Sequence, residues 1–168
     1  MWDVYGYFTY RAVPAADAED LTQLTFERAL RAWERFDPAR ASARTWFLAI
    51  ARNAYIDYRR RGRAVREVPL PTETMGEKPL AARSNPSDPH GLDPELELAI
   101  RRLARREREV VALRFGGDLR GPEIAELLGI SLANAQQILS RALRKLRRDL
   151  GVEVPEGSSN APAQARRR

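Results

Sequence analysis

Residues 122–148, PEIAELLGISLANAQQILSRALRKLRR, predict two helices that are separated by a short turn. Pro122 suits the first turn of a helix, where its missing N–H has no intrahelical partner. Ile124 begins the apolar side of that helix. Gly129 permits a left-handed turn residue, and Ser131 can cap the next helix through its hydroxyl. This pattern is typical of a helix-turn-helix, whose second helix enters the major groove of DNA.

The second helix of this pair has one apolar and one polar side. Its apolar side carries Ala135, Ile138, Leu139, Ala142 and Leu146. Amides and Arg on the other side can make paired contacts to base edges, while Arg and Lys neutralise phosphates. We therefore expect DNA contacts from Ser131, Asn134, Gln136, Gln137, Ser140, Arg141, Arg144 and Lys145. An ordinary helical hairpin with a solvated basic face is the alternative for this segment alone.

The composition of the 168-residue chain disfavours several classes of function. There is no Cys, which excludes a disulfide framework, a Cys nucleophile and a Cys zinc site. The single His, His90, disfavours His-rich metal sites and a Ser-His pair. We therefore expect no metal ion and no other cofactor.

The charge of the chain favours a polyanionic partner. Lys and Arg number 29 against 23 Asp and Glu, a formal net charge of +6. Arg and Ala are abundant together, however, as the codons of a GC-rich genome would give. No apolar run approaches the ~20 residues of a membrane span, and the N-terminus lacks signal-peptide features. We expect a cytoplasmic protein without membrane insertion.

Apolar periodicity divides the chain into two domains. Residues 1–62 are rich in aromatics, whereas residues 63–94 hold six Pro and no aromatic residue. The latter segment cannot bury enough apolar surface to offset its ordering entropy, so we predict a flexible Pro-rich linker. Residues 95–150 are periodic again, and residues 151–168 predict a disordered basic tail. No run alternates every two residues, so the predicted fold is all-α, with two small helical domains and the helix-turn-helix in the second.

We predict three helices in the first domain, beginning with residues 2–13. The second has an apolar stripe that is widened by Phe26 and Leu30, and it ends at Asp37 because Pro38 follows. That stripe comprises Leu21, Thr25, Ala29, Trp33 and Phe36. The stripe of the third comprises Phe47, Ile50, Ala51, Ala54 and Tyr58.

The third helix, over residues 44–61, also has a basic face with aromatic residues. Unstacked bases of single-stranded nucleic acid pack on aromatic rings, while Arg contacts the backbone. The residues that lie off the apolar stripe and fit this role are Arg44, Trp46, Arg52, Asn53, Tyr55, Arg59 and Arg60. Trp46 and Tyr55 are alternatively core aromatics.

The second helix begins with acidic residues, Asp17, Glu19 and Asp20. Acidic residues compensate the dipole at a helix N-terminus. The functional alternative is a contact for a basic protein partner.

These segments together resemble a known family. Residues 17–23, DAEDLTQ, are similar to conserved region 2 of bacterial sigma factors, as are Phe36-Asp37-Pro38 and residues 45–53, TWFLAIARN. Residues 103–146 resemble region 4 of the same proteins. The match is to the extracytoplasmic-function (ECF) group, whose members have a two-domain, all-helical layout.

The resemblance implies a non-enzymatic sigma factor that binds core RNA polymerase and directs it to promoters. Asp17, Glu19, Asp20 and Gln23 would meet the coiled coil of the largest polymerase subunit. The loop at residues 36–44 and the third helix would read and help melt the −10 element. The helix at residues 131–148 would enter the −35 major groove, while region 4 also docks on the polymerase flap. ECF factors are commonly restrained by an anti-sigma factor.

This chain departs from the family at three places. Leu24 stands where an acidic residue is usual, which would weaken the polymerase contact or add apolar docking surface. Gln136 stands where a basic residue is usual, and Ile138 where one is frequent. Amides suit adenine edges better than guanine, so we expect a changed −35 preference. The first helix is also short, which suggests a start upstream of Met1 or a trimmed variant.

Two other functions remain open. A stand-alone helix-turn-helix regulator explains the second domain but not the first. A sigma-like protein that binds polymerase unproductively is compatible with Leu24 and the short first helix. A DNA enzyme that uses metal-bound carboxylates is disfavoured, because no acidic residues have convergent spacing.

Overall fold

The computed structural model describes residues 2–66 and 91–152, which form two helical bundles. The N-terminal bundle comprises α1 (Trp2–Tyr10), α2 (Ala15–Arg31) and α3 (Ala43–Arg66), with a 3₁₀ turn at Trp33–Arg35. The C-terminal bundle comprises α4 (Pro94–Arg102), α5 (Arg105–Val111), α6 (Gly121–Leu128) and α7 (Leu132–Asp149). No strand occurs in these two ranges, which confirms the all-α prediction. The predicted linker and tail lie mostly outside the described residues.

The predicted helix-turn-helix is formed by α6 and α7. Gly129 has a φ of 62°, the left-handed conformation that the turn requires. The Ser131 hydroxyl accepts a hydrogen bond from the Asn134 N–H at 3.2 Å and so caps α7. Both local predictions are confirmed.

Side chains also fix the ends of α4. The Asp93 carboxylate caps its N-terminus by accepting a hydrogen bond from the Glu95 N–H at 2.9 Å. At the other end, the Arg108 guanidinium donates to the carbonyls of Ile100 and Leu103 at 3.1 and 3.0 Å. Arg108 therefore adds donors to carbonyls at the C-terminal end of α4, where the Ile100 carbonyl also accepts from the Leu103 N–H, and ties that helix to α5.

The prediction placed two residues on the apolar stripe of α2 that are in fact exposed. Leu21, Thr25 and Ala29 are buried as expected, but Leu30 is 74% exposed and Trp33 is 53% exposed. Leu30 follows Leu21 by two and a half helical turns and so lies on the opposite side of α2. The helix ends at Arg31, and the tighter 3₁₀ turn carries Trp33 away from the stripe.

The α1 prediction was also too long at its C-terminus. The helix ends at Tyr10, and Ala12 adopts a left-handed φ of 56° two residues before Pro14. The chain therefore turns toward α2 before proline would have ended the helix.

The buried side of α3 is wider than the predicted stripe. Ala51 and Ala54 are buried as expected, whereas Leu48 and Tyr55 are more deeply buried than Phe47 and Tyr58. The reason is that α3 is covered from two directions, by α2 and by α1 with the C-terminal bundle.

The two bundles pack directly against each other through α1 and a π-helical turn, Ala112–Gly116, that continues α5. A Cβ atom on Gly6 would lie only 2.7 Å from the Gly116 carbonyl oxygen, so the two backbones meet without side chains between them. The rings of Tyr10 and Phe115 stack with centroids 6.3 Å apart. One core consequently holds residues of both bundles, including Val4, Tyr7, Phe8, Leu48, Val110, Leu113, Leu119 and Ile124.

Candidate functional site

The outward face of α7 is an exposed strip of amides and cations. Ser140 and Arg141 lie three and four residues after Gln137, and Arg144 lies four and three residues after them, so all four share one helix face. All four are exposed, while Ala135, Ala142 and Leu146 are buried on the opposite side. Asn134 and Gln136 are exposed on the two flanks of the strip. The structure therefore brings together six of the eight predicted α7 contacts on an accessible surface.

The remaining two residues of that set have structural partners. Ser131 caps the helix, and the Lys145 ammonium donates to both carboxylate oxygens of Glu107 at 2.7 and 2.9 Å. Burial raises the pKa of Glu107, but hydrogen bonds from Lys145 and the Ala104 N–H outweigh it and hold that pKa below the usual value. Lys145 is thus directed toward α5 rather than straight outward.

The seven predicted contacts on α3 lie on two faces of that helix. Trp46, Asn53 and Arg60 are spaced by seven residues, close to two turns, and form the open face. The inner face, which is directed toward the C-terminal bundle, carries Arg44, Arg52, Tyr55 and Arg59.

The open face of α3 carries a cluster of aromatic rings. The centroid of Trp46 lies 5.2 Å from that of Phe36 and 6.1 Å from that of Trp33. Trp33 is more than half exposed, and Asn53 and Arg60 are also exposed. Flat rings beside a cation and an amide are chemically suited to stacking with unpaired bases. Sequence reasoning missed Trp33 because it assigned this residue to the core stripe.

The inner face of α3 is occupied by carboxylates of the C-terminal bundle. Arg52 Nε lies 2.8 Å from Glu109 Oε1, and Arg44 Nη1 lies 2.9 Å from Asp118 Oδ2. Arg44 Nε also contacts Asp3 Oδ2 at 3.0 Å. Two of the predicted DNA contacts, Arg44 and Arg52, are therefore paired with carboxylates of the protein itself.

Tyr55 is the predicted contact that this arrangement makes inaccessible. It is only 5% exposed, and the Arg11 guanidinium carbon lies 4.2 Å from its ring centre. Its ring therefore acts as a core aromatic here, which was the alternative for this residue.

The exposed face of α2 is acidic. Glu19, Asp20 and Gln23 are exposed, and Glu27 continues the same face one turn later. Sequence reasoning missed Glu27, although its spacing of four residues from Gln23 was visible. Side chains at this face can contact a basic partner without rearrangement of the bundle.

Asp17 instead holds α2 against α3. Its carboxylate accepts a hydrogen bond from the Tyr58 hydroxyl at 2.7 Å. Burial, followed by this hydrogen bond, raises the pKa of Tyr58 to about 12. Leu24 and Asp57 line a cavity of about 180 Å³ between the two helices. Leu24 therefore adds apolar surface beside the acidic face.

Two family models match the chain, Sigma-70 region 2 over residues 3–65 and Sigma-70, region 4 over residues 94–146. The RNA polymerase sigma factor CnrH of Cupriavidus metallidurans is 32% identical over 142 residues, which cover 80% of this chain and 73% of that relative. This chain belongs to the sigma-70 family. The ECF RNA polymerase sigma factor SigC of Mycobacterium tuberculosis is 34% identical over 138 residues and places the chain in the ECF group.

The match with SigC covers 81% of this chain and 65% of SigC. This sigma factor chain therefore spans slightly less than two thirds of the length of SigC. A solved complex of the sigma factor RpoE with the anti-sigma factor NepR from Bartonella quintana has the same fold, with a TM-score of 0.68 at 23% identity. That match covers 89% of this chain and 91% of the solved one.

The family assignment identifies α1–α3 with region 2 and α4–α7 with region 4. Among the helices described for this sigma factor chain, none combines the length and apolar character needed to cross a membrane.

Proposed function

We propose that this chain is a sigma factor that binds core RNA polymerase and directs it to specific promoters. One observation carries the proposal: a single chain contains two surfaces suited to promoter DNA. The first is the exposed amide and Arg face of the region 4 helix-turn-helix, and the second is the aromatic face of α3 in region 2. The polymerase supplies the catalysis, so the role is non-enzymatic and belongs in the cytoplasm.

Polymerase binding is assigned to the acidic face of α2. Glu19, Asp20, Gln23 and Glu27 present carboxylates and an amide to solvent, which suits a basic helical partner such as the coiled coil of the largest subunit. Asp17 supports this face indirectly, because its bond to Tyr58 fixes α2 on α3. Leu24 supplies apolar surface at the edge of the contact. Region 4 is assigned a second contact, with the polymerase flap.

Recognition and melting of the −10 element are assigned to α3 and its preceding loop. Trp46, Asn53 and Arg60, with Trp33 and Phe36, form a surface on which unpaired bases can stack. Stacking of a base on an aromatic side chain contributes ~1–3 kcal/mol, which helps offset the cost of opening the duplex.

Recognition of the −35 element is assigned to α7. Arg141 and Arg144 are exposed for guanine or phosphate, and Gln136 and Gln137 are exposed for adenine. Ser140 and Asn134 lie beside them, while Ser131 orients the helix and Lys145 supplies a flanking positive charge.

An anti-sigma factor is a further partner that we propose. The structure of RpoE that shares this fold contains the anti-sigma factor NepR. A protein that covers region 2 or region 4 would block the surfaces assigned above.

Transcription with core polymerase and a promoter library tests the proposal. We expect initiation at a defined set of promoters that share −35 and −10 elements. Stable binding to core polymerase without initiation would favour the unproductive sigma-like protein. Tight, specific binding to duplex DNA without any binding to polymerase would favour the stand-alone regulator.

A further inference from the structure

We propose that Leu132 is a specificity-determining residue of α7, and that its side chain packs on the methyl groups of thymines in the −35 element. This inference rests on the proposed function, because it adds a base contact to those assigned to α7 above. It concerns a residue that the amide and Arg pattern of the helix did not select. The partner of this apolar side chain is duplex DNA that contains A·T pairs.

The first argument is the position of Leu132 on α7. It is the first residue of the helix and directly follows the Ser131 cap. In a helix-turn-helix, the N-terminal residues of the second helix contact base edges in the major groove. Leu132 is 40% exposed, so part of its side chain is open to a partner at this end of the helix.

The second argument is the support that Leu132 receives from α6. A Cβ atom on Gly121, the first residue of α6, would lie only 3.0 Å from Leu132 Cδ1. The absence of a side chain at Gly121 therefore lets the leucine lie close against the start of α6. A side chain that is already held on one side loses less rotamer freedom when a ligand covers the other side.

The third argument is the chemistry of the residue one turn later. Gln136 follows Leu132 by four residues, so the two exposed side chains share one flank of α7. Glutamine makes paired contacts to adenine, and the base opposite adenine is thymine, whose C5 methyl group also faces the major groove. An amide and an apolar side chain one turn apart therefore match the polar and the apolar features of A·T pairs.

The fourth argument is continuity with the cationic strip of α7. Ala133, which is exposed beside Leu132, lies one turn before Gln137 at the start of that strip, and Arg141 lies one turn after Gln137. Arginines attract DNA phosphates and fix the orientation of a helix on the duplex. The apolar contact is therefore placed beside side chains that hold α7 on DNA.

Leu98 of α4 provides a comparison within the same region. It is 52% exposed, but α4 lies outside the helix-turn-helix. Single exposed leucines are common on protein surfaces, so exposure alone assigns no role to Leu98. Leu132 differs from it by its place at the start of α7 and by its contact with Gly121. Leu98 is consequently a matched control for Leu132.

The test compares thymine with uracil in duplex promoter DNA, since uracil keeps the base pair and lacks only the C5 methyl group. The promoter is one selected from the library, and each −35 thymine of either strand is replaced in turn by deoxyuridine. Affinity of the holoenzyme for each duplex is measured. We expect replacement at one or two positions to weaken binding about two- to fourfold, the effect of exposing one buried methyl group.

Variants of Leu132 assign the methyl contact to this residue. Leu132→Ala holoenzyme should bind the thymine and uracil duplexes equally at those positions, because the shorter side chain does not reach the methyl group. Leu132→Met should keep the discrimination, since it preserves an apolar side chain of similar volume. Leu98→Ala should discriminate as the wild type does. Circular dichroism of each variant checks that helical content is preserved.

Equal binding of the wild-type holoenzyme to every thymine and uracil duplex would overturn the inference, and this comparison requires no variant to fold. Full discrimination by Leu132→Ala would also overturn it. Run-off transcription from the unmodified promoter is measured in parallel. Normal initiation without methyl discrimination would refute this inference alone, whereas absence of initiation would refute the proposed function.

Discussion

Arg52 of α3 and Glu109 of α5 form an ion pair across the boundary between regions 2 and 4, with Nε and Oε1 separated by 2.8 Å. Glu109 also lies 3.5 Å from Arg106 Nη1 of its own helix. Glu109 therefore has a cationic partner in each of the two regions. Partial burial makes such a pair less sensitive to salt than an exposed one.

Replacement of Arg141 should weaken recognition of the −35 element. Arg141→Ala removes a guanidinium from the outward face of α7, where loss of a paired base contact costs ~1–3 kcal/mol. Binding of the holoenzyme to promoters with intact and scrambled −35 elements measures this change. Arg147→Ala is the control, because it removes the same charge from the last turns of α7. Equal losses in the two variants would contradict the placement of α7 in the groove.

Replacement of Gln136 should change sequence preference and leave activity in place. Gln136→Lys exchanges an amide that suits adenine for a cation that suits guanine. Selection from a promoter library should show guanine enriched at one −35 position, with total initiation retained. An unchanged selected sequence would show that Gln136 does not reach a base edge.

Replacement of Trp33 should impair the −10 interaction with little effect on stability. Trp33→Ala removes an exposed ring beside Trp46, and loss of one stacked base costs ~1–3 kcal/mol. Affinity for a single-stranded −10 oligonucleotide and the extent of promoter melting report the effect. Leu30→Ala is the control, since it removes an exposed apolar side chain on another side of α2. If the two variants behave alike, the aromatic ring is not a base platform.

The Glu107 and Lys145 pair should make stability fall in acid. Burial raises the pKa of Glu107, but the Lys145 and Ala104 hydrogen bonds bring it below its usual value of 4.5. Since the folded-state pKa is lower than the unfolded one, the pair stabilises the fold above pH 4.5. That contribution is lost as the pH falls through the folded-state value.

Urea unfolding at neutral and acidic pH tests this pair. Lys145→Met should lower the free energy of unfolding at neutral pH by about 1 kcal/mol or less, because Lys145 is partly exposed. The difference from the wild type should shrink in acid. Arg144→Met, on the outward face, is the control, and a constant difference for Lys145→Met across the pH range would contradict the linkage.

The sequence predicted best those features that depend on neighbours along the chain. The turn at Gly129 and the cap at Ser131 follow from the chemistry of single residues, and both occur as expected. Leu48 was missed, and the core position of Tyr55 was only an alternative, because the surface that covers these residues comes from α1 and region 4. A helical periodicity marks which residues share a face, but it does not state how many faces will be covered.

The same distinction between local pattern and tertiary packing applies to the candidate surfaces. Exposure of the α7 strip follows from its own amphipathic pattern. By contrast, the predicted α3 contacts divide into an open and an inner face because the fold places Glu109 and Asp118 beside one side of that helix. Trp33 was assigned to the wrong side because the end of α2 and the 3₁₀ turn after it were not visible in the spacing.

The contact between Gly6 and Gly116 also has a consequence for the order of folding. It joins residues about 110 positions apart, and such long-range contacts form late because loop closure carries an entropic cost. The contacts between α6 and α7 are closer in sequence, although Ile124 and Ala135 also belong to the core that both bundles share. Refolding of the chain should therefore show rapid gain of helix followed by a slower docking phase, and Gly6→Ala should remove the slower phase while leaving the first unchanged.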